Sequence, residues 1–178
     1  MTTLTTQTGQ PNQTSQTEPP EGSPPSVSDA AREQLARDLS PDEYRRIRRL
    51  WLRHSIAEDK RDIPGLLATL SADCVYVVVP TGQCWEGHAG ARLFYETFLG
   101  AFPDVTFHLQ DIVIGPQGVV EVARMRGTHR GPWAGYAPTG RVVDCRIVIH
   151  FPWDPAAQKF AGENVYFDQS ELRTQLGL

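Results

Sequence analysis

The sequence predicts an α+β fold: a curved antiparallel sheet forming a cone, with helices packed on its concave face. Three observations predict it. Apolar residues recur at helical spacing through Tyr44, Ile47, Leu50, Trp51 and His54. Beyond Pro103 the period changes to strand alternation, as in Val105, Phe107, Leu109, Asp111 and Val113. Finally, the turn-rich stretches GPQG, GPWAGYAPTG and PWDPAAQ divide the second half of the chain into four strands, a meander of the kind that packs helices on one side.

The elements follow in order. Residues 1–27 are almost entirely Thr, Gln, Ser, Pro and Gly, with too little apolar surface to offset ordering, and are read as a disordered tail. Residues 28–39 form a short helix or linker, and 40–178 the folded domain. Ser40 caps the main helix, with Pro41 at its first position and Glu43 placed to complete a capping box. Asp62 caps a second short helix over IPGLLATL, and SAD turns the chain into the strand CVYVVVP. A third helix runs from about Ala89 to Ala101, with Phe94, Phe98 and Phe102 on one face and Pro103 closing it.

The strands DVTFHLQDIVI and VVEVARMRGTHRG pair around GPQG, and RVVDCRIVIHF pairs with KFAGENVYFD around PWDPAAQ. ENVYFDQS differs from the protease cleavage sequence ENLYFQS by one inserted Asp and one Leu-to-Val change. The alternation it completes marks it as a native strand. SELRTQLGL ends the chain as an amphipathic turn, Leu172 and Leu176 falling on one side.

Composition narrows the function. The formal net charge is −4, which gives no general footprint for nucleic acid. Arg45, Arg46, Arg48, Arg49 and Arg53 crowd one segment and are read as a solvated helix face. Three widely spaced cysteines, with no CxxC or HxxxH pair, indicate neither a disulfide framework nor a metal site. No signal peptide or membrane-spanning run is legible, so a soluble cytoplasmic protein without membrane partners is expected.

At this point the sequence resembles a family. WEGHAGARLFYETFLGAFPDVTF, GTHRGPWAGYAPTGR and YFDQSELRTQLGL are similar to the SnoaL-like polyketide cyclases of the nuclear transport factor 2-like superfamily. The resemblance runs from about Ser40 to the C-terminus. It implies a cone with a deep pocket for a hydrophobic small molecule, a homodimer formed through the outer face of the sheet, and no cofactor. It also implies a pocket carboxylate that removes a proton α to a carbonyl, leading to aldol cyclisation or isomerisation.

Counting back from the QLG ending places Val165 where the family has its catalytic aspartate. Glu163, two residues earlier on the same strand face, takes the position of a second pocket residue and is the first candidate for the base. Its alternative is a strand carboxylate at the solvent rim. Asp168 matches a family acidic position and also precedes SELR, where it would cap the last helical turn. His129, before the glycine-rich loop, and His150, one residue out of register with a family histidine, complete the catalytic candidates; a structural role is the alternative for His129.

Trp85, Trp133 and Tyr136 are read as pocket walls or a lid, with Tyr76 and Tyr166 as further substrate contacts. Asp144 and Arg146 lie two apart on one strand face. They fit either a water-activating pair for hydrolysis or a cross-strand ion pair. A non-catalytic ligand carrier is the remaining alternative.

Overall fold

The computed structural model describes residues 28–178, so the predicted tail, 1–27, lies outside the described residues. Residues up to Leu35 and residues 36–178 form separate units. In the first, Ser28 Oγ accepts the Ala31 N–H at 3.2 Å and starts helix α1 (Asp29–Leu35).

The second unit opens with α2 (Pro41–Asp59). Ser40 Oγ accepts the Glu43 N–H at 3.1 Å, and Pro41 stands where no amide proton is needed. The reciprocal half of the predicted capping box does not form. Glu43 Oε1 instead accepts the Trp153 Nε1–H at 3.1 Å, tying the helix start to the sheet. The buried stripe consists of Ile47, Leu50, Trp51, His54 and Ala57. Tyr44, expected on this stripe, is 42% exposed, because the helix meets the core one turn later. The arginine cluster faces solvent, where Arg45 pairs with Asp42. Asp62 Oδ1 accepts the Gly65 N–H at 3.0 Å to begin α3 (Ile63–Leu67).

The sheet has six strands: β1 (Leu70–Val78), β2 (Gln83–Glu86), β3 (Thr106–Gly115), β4 (Gly118–Thr128), β5 (Val142–Asp154) and β6 (Lys159–Phe167). Helix α4 (Gly87–Ala101) precedes β3, and α5 (Gln169–Leu176) follows β6. The spatial order is β2-β1-β6-β5-β4-β3, a curved sheet left open between its two edge strands. Helices α2 and α4 cover its concave face.

Two features correct the expected all-antiparallel meander. β2 was not foreseen and pairs antiparallel with β1. β1 then pairs parallel with β6, Tyr76 standing opposite Glu163. A parallel pair needs a long crossover, here everything from β2 to β5, and no local turn signal announces it.

A third correction concerns register. The β3/β4 ladder slips between Leu109 and Asp111. One extra residue reverses every later side chain, so Ile112 and Ile114 turn toward the core and Val113 stands 63% exposed on the convex face. The predicted alternation therefore holds only as far as Leu109.

ENVYFDQS is native structure. Most of it lies in β6, hydrogen-bonded on both sides by β1 and β5. Gly162 makes that position possible. Its φ is 130°, and a Cβ there would lie 1.8 Å from the Val75 carbonyl oxygen, so only glycine lets β6 approach β1 this closely. The QLG ending docks α5 on β5. Gln175 Oε1 accepts the Asp144 N–H at 2.7 Å, its Nε2 donates to the Asp144 carbonyl at 3.1 Å, and Leu176 is buried. Among the described residues no helix is long and apolar enough to cross a membrane.

Candidate active site

The concave face holds an apolar cavity that opens to solvent. Its wall consists of Phe94 and Phe98 from α4 and Phe102 at its C-cap, Ile147 and Ile149 from β5, Val165 and Phe167 from β6, with Trp133 from the glycine-rich loop. The three phenylalanines recur every four residues, which puts their rings on one side against Trp133. Two carboxyls interrupt this surface, Glu163 and Glu58.

Glu163 is only 3% exposed. Its hydrogen bonds converge on one oxygen: Tyr76 O–H donates to Oε1 at 2.8 Å and Tyr95 O–H at 2.6 Å. His54 Nε2 lies 2.9 Å from the same atom. Oε2 has no partner among the described residues, and the side chain lines the cavity. Burial, then the adjacent Glu163 charge, raises both phenols well above their ordinary pKa, so they stay neutral donors.

The histidine tautomer follows from proton counting. Thr69 Oγ1 donates to the Leu66 carbonyl at 2.6 Å, so its single proton is spent. It must therefore accept from His54 Nδ1–H, 2.6 Å away. Nε2 then faces Glu163 Oε1 at 2.9 Å and the Tyr95 hydroxyl at 3.1 Å, and a proton on Nε2 makes the first contact an imidazolium–carboxylate pair. That pair is neutral overall, which lets it persist in an apolar interior.

Glu58 reaches the cavity from α2, one helical turn beyond His54. It is half-buried, and its carboxyl forms no hydrogen bond or ion pair among the described residues. The nearby Arg61 guanidinium is occupied by the Glu58 and Val105 carbonyl oxygens. Burial, followed by the charges of Glu163, Glu121 and Asp59, raises the Glu58 pKa well above the usual carboxylate value. Glu121, on β4, accepts the Trp51 Nε1–H at 2.9 Å, and burial pushes its pKa up to about 7.

Of the predicted site residues, the structure puts Glu163 and Trp133 at the cavity, with Tyr76 buried behind Glu163 as its hydrogen-bond donor and not as a lining residue. Trp85 lies behind the wall, its ring 5.2 Å from Phe94. Tyr136 lines a separate shallow crevice under α5, with Arg173 5.9 Å above its ring.

The other catalytic candidates do not reach the cavity. Asp168 Oδ1 accepts the Ser170 and Glu171 N–H groups at 2.8 and 3.0 Å, so it is the cap of α5. His129 is fully buried, stacked on Phe102 and bonded to Thr139, and burial lowers its pKa. His150 points to the convex face, where its Nδ1 lies 3.4 Å from Asn164 Nδ2. The alternation of β5 puts Asp144 and Arg146 on that face too. Asp144 pairs with Arg124 at 2.6 Å and Arg126 at 3.2 Å, the cross-strand alternative, and water activated there would not meet the cavity. Tyr166 is on the same outer face, 43% exposed.

Sequence reading did not single out His54, Glu58 or Tyr95 for chemistry. The signal for the first two was the helical period itself, since positions 51, 54 and 58 share one face. Cys145 also lines the cavity, but burial pushes its thiol up to about 11, which keeps it a poor nucleophile. Among the described residues no group of three or more His, Cys, Asp or Glu is arranged to hold a metal.

Residues 42–176 match the SnoaL-like polyketide cyclase family. No curated protein matches the sequence. Among solved structures the fold is similar to a provisionally assigned SnoaL-like polyketide cyclase from Jannaschia sp. CCS1. The TM-score is 0.68 at 20% identity, covering 79% of this chain and 96% of that one. AclR, provisionally assigned as a hydroxylase from Streptomyces galilaeus, gives a TM-score of 0.62 at 22% identity, with 75% and 82% covered. TerC, co-crystallised with polyporic acid, gives 0.61 at 16% identity, with 75% and 99% covered.

Proposed function

Since the chain belongs to the SnoaL-like polyketide cyclase family, we propose that it removes a proton α to a carbonyl of a hydrophobic, polyketide-like compound, directing the enolate to aldol cyclisation or isomerisation. The observation that carries this reading is Glu163. It is a buried carboxylate at an apolar cavity whose protein partners all bind Oε1, leaving Oε2 for substrate. Tyr76, Tyr95 and His54 are positioning residues that hold the carboxylate plane. A substrate that suits a carboxylate base has an α-C–H acidified by a second carbonyl or by conjugation. The aromatic wall suits a flat ligand, in keeping with the polyporic acid found with TerC.

The test is deuterium uptake at the α-carbon of cyclic ketones and β-keto esters in heavy water. Glu163→Gln should lose uptake by roughly 10²-fold or more while still binding ligand. Equal uptake by both proteins would exclude Glu163 as the base. A ligand carrier is the second reading, favoured by the apolar Val165 in the cavity wall where the family has its catalytic aspartate. Binding without uptake by the native chain would establish it.

We further propose a homodimer through the convex face of the sheet. Val113 lies opposite Val120 on the β3/β4 ladder, and Val148 opposite Tyr166 on the β5/β6 ladder. Val113, Val120 and Tyr166 form exposed apolar surface of the kind that marks an interaction site.

A further inference from the structure

The proposed base does not account for Glu58. A half-buried carboxyl that lines an apolar cavity with no hydrogen-bond partner among the described residues needs a reason to be there, since polar groups are depleted from such surroundings unless they bind something. Glu58 and Glu163 reach the cavity from opposite layers, one from α2 and the other from β6. We propose, building on the reading of Glu163 as base, that Glu58 is a second catalytic residue: a neutral carboxylic acid that donates its proton to the substrate's carbonyl oxygen.

On balance the charged and titratable groups around it favour the neutral form. Glu163 on β6, Glu121 on β4 and Asp59 on the same helix are negative when ionised, and each disfavours a second negative charge. Tyr95 on α4 and Tyr76 on β1 are neutral. His54 is engaged with Glu163 and Thr69; Arg61, bonded to backbone carbonyls, keeps its positive charge and opposes the neutral form, as the smallest of these effects. Burial is the largest cause raising the Glu58 pKa, ahead of these charges.

The step balances with these two groups alone. The α-C–H bond breaks and its proton passes to Glu163 Oε2. The electron pair forms the C=C bond, and the carbonyl oxygen takes the Glu58 proton, leaving an enol. In the aldol step the enol carbon attacks a second carbonyl. The enol O–H returns its proton to Glu58, and the new alkoxide takes the proton held by Glu163. Both carboxyls finish as they began, and the product is an isomer of the substrate.

The test separates this proposal from the one it rests on. 2-Acetylnaphthalene, a flat aryl ketone, is titrated into the full chain across pH 5.5–9.5 for the native protein, Glu58→Gln, Glu58→Asp and Glu163→Gln. The native affinity should fall at least fivefold as Glu58 ionises with rising pH, and Glu163→Gln should keep that fall, moved to lower pH by the loss of the Glu163 charge. Glu58→Gln, which donates at every pH, should bind with a flat profile, and Glu58→Asp should restore the slope. A Glu58→Gln profile that follows the native one, or a native chain that does not bind the ketone, overturns the proposal. Heavy-water exchange lost in Glu163→Gln alongside an unaltered Glu58→Gln binding profile leaves the base standing and removes Glu58. A Glu58-dependent binding profile without exchange by the native chain supports Glu58 as the donor and removes the base.

Discussion

Replacing Glu121 by Gln should make the protein more stable at neutral pH, an effect that can be worked through quantitatively. The carboxyl sits on β4 under α2 and accepts only the Trp51 Nε1–H, a bond that a glutamine oxygen can also accept. Burial is the main cause of its raised pKa, about 7 against an ordinary 4.5. A carboxyl whose pKa is higher folded than unfolded contributes stability below the unfolded value and loses it as pH rises through the folded one. The window is therefore pH 4.5 to about 7. At ~1.4 kcal/mol per unit of pH, the loss across it is roughly 3 kcal/mol.

Glutamine does not titrate, so the variant lacks this slope. The assay is urea unfolding followed by tryptophan fluorescence at pH 4, 5.5, 7 and 8.5, comparing the two proteins at each pH. The stability of native minus variant should be constant below pH 4.5, fall by about 3 kcal/mol by pH 7 to 8, and then level off. Two profiles that run parallel from pH 4 to 8.5 would show that Glu121 ionises in the fold as easily as in the unfolded chain. That result would refute both its burial and the electrostatic account of its neighbours.

Asp168→Ala should cost about 1 kcal/mol through loss of the α5 cap, measurable by denaturant unfolding, while ligand affinity is unchanged; a loss of exchange activity beyond that instability would restore it as a catalytic candidate. On the convex face, the double change Val113→Glu and Tyr166→Glu should convert a dimer into a monomer in sedimentation equilibrium with the fold intact by circular dichroism. An unaltered mass would place any dimer contact elsewhere.

Sequence legibility tracked the distance over which each interaction acts. Ser40 and Asp62 announced their helices because a cap bonds three residues ahead. The hairpins were legible because their turns are local, and β5 alternated as expected along its whole length. The slip at Gln110 was not legible, since a bulge adds one residue without needing a glycine or proline to mark it.

The site divided the same way. Glu163 could be placed on the inner face by counting from the end of the chain, but its partners could not. Tyr76, Tyr95 and Glu163 are 87 and 68 positions apart in their two pairings, and His54 meets Tyr95 across 41. No periodicity spans such gaps. Glu58 was hidden by a different cause. An acidic residue near the end of an amphipathic helix ordinarily faces water, and only the sheet curving beneath α2 shows that this one does not.

The parallel pairing of β1 with β6 sets the order in which this protein can acquire its chemistry. Local contacts within α2, α4 and the β3/β4 hairpin can form early, whereas Tyr76 and Glu163 meet only after a loop of 87 residues has closed. A chain arrested before β6 docks would hold most of the aromatic wall but no Glu163, together with an open strand edge on β1. Placement of the proposed base is thus expected to be a late step of folding.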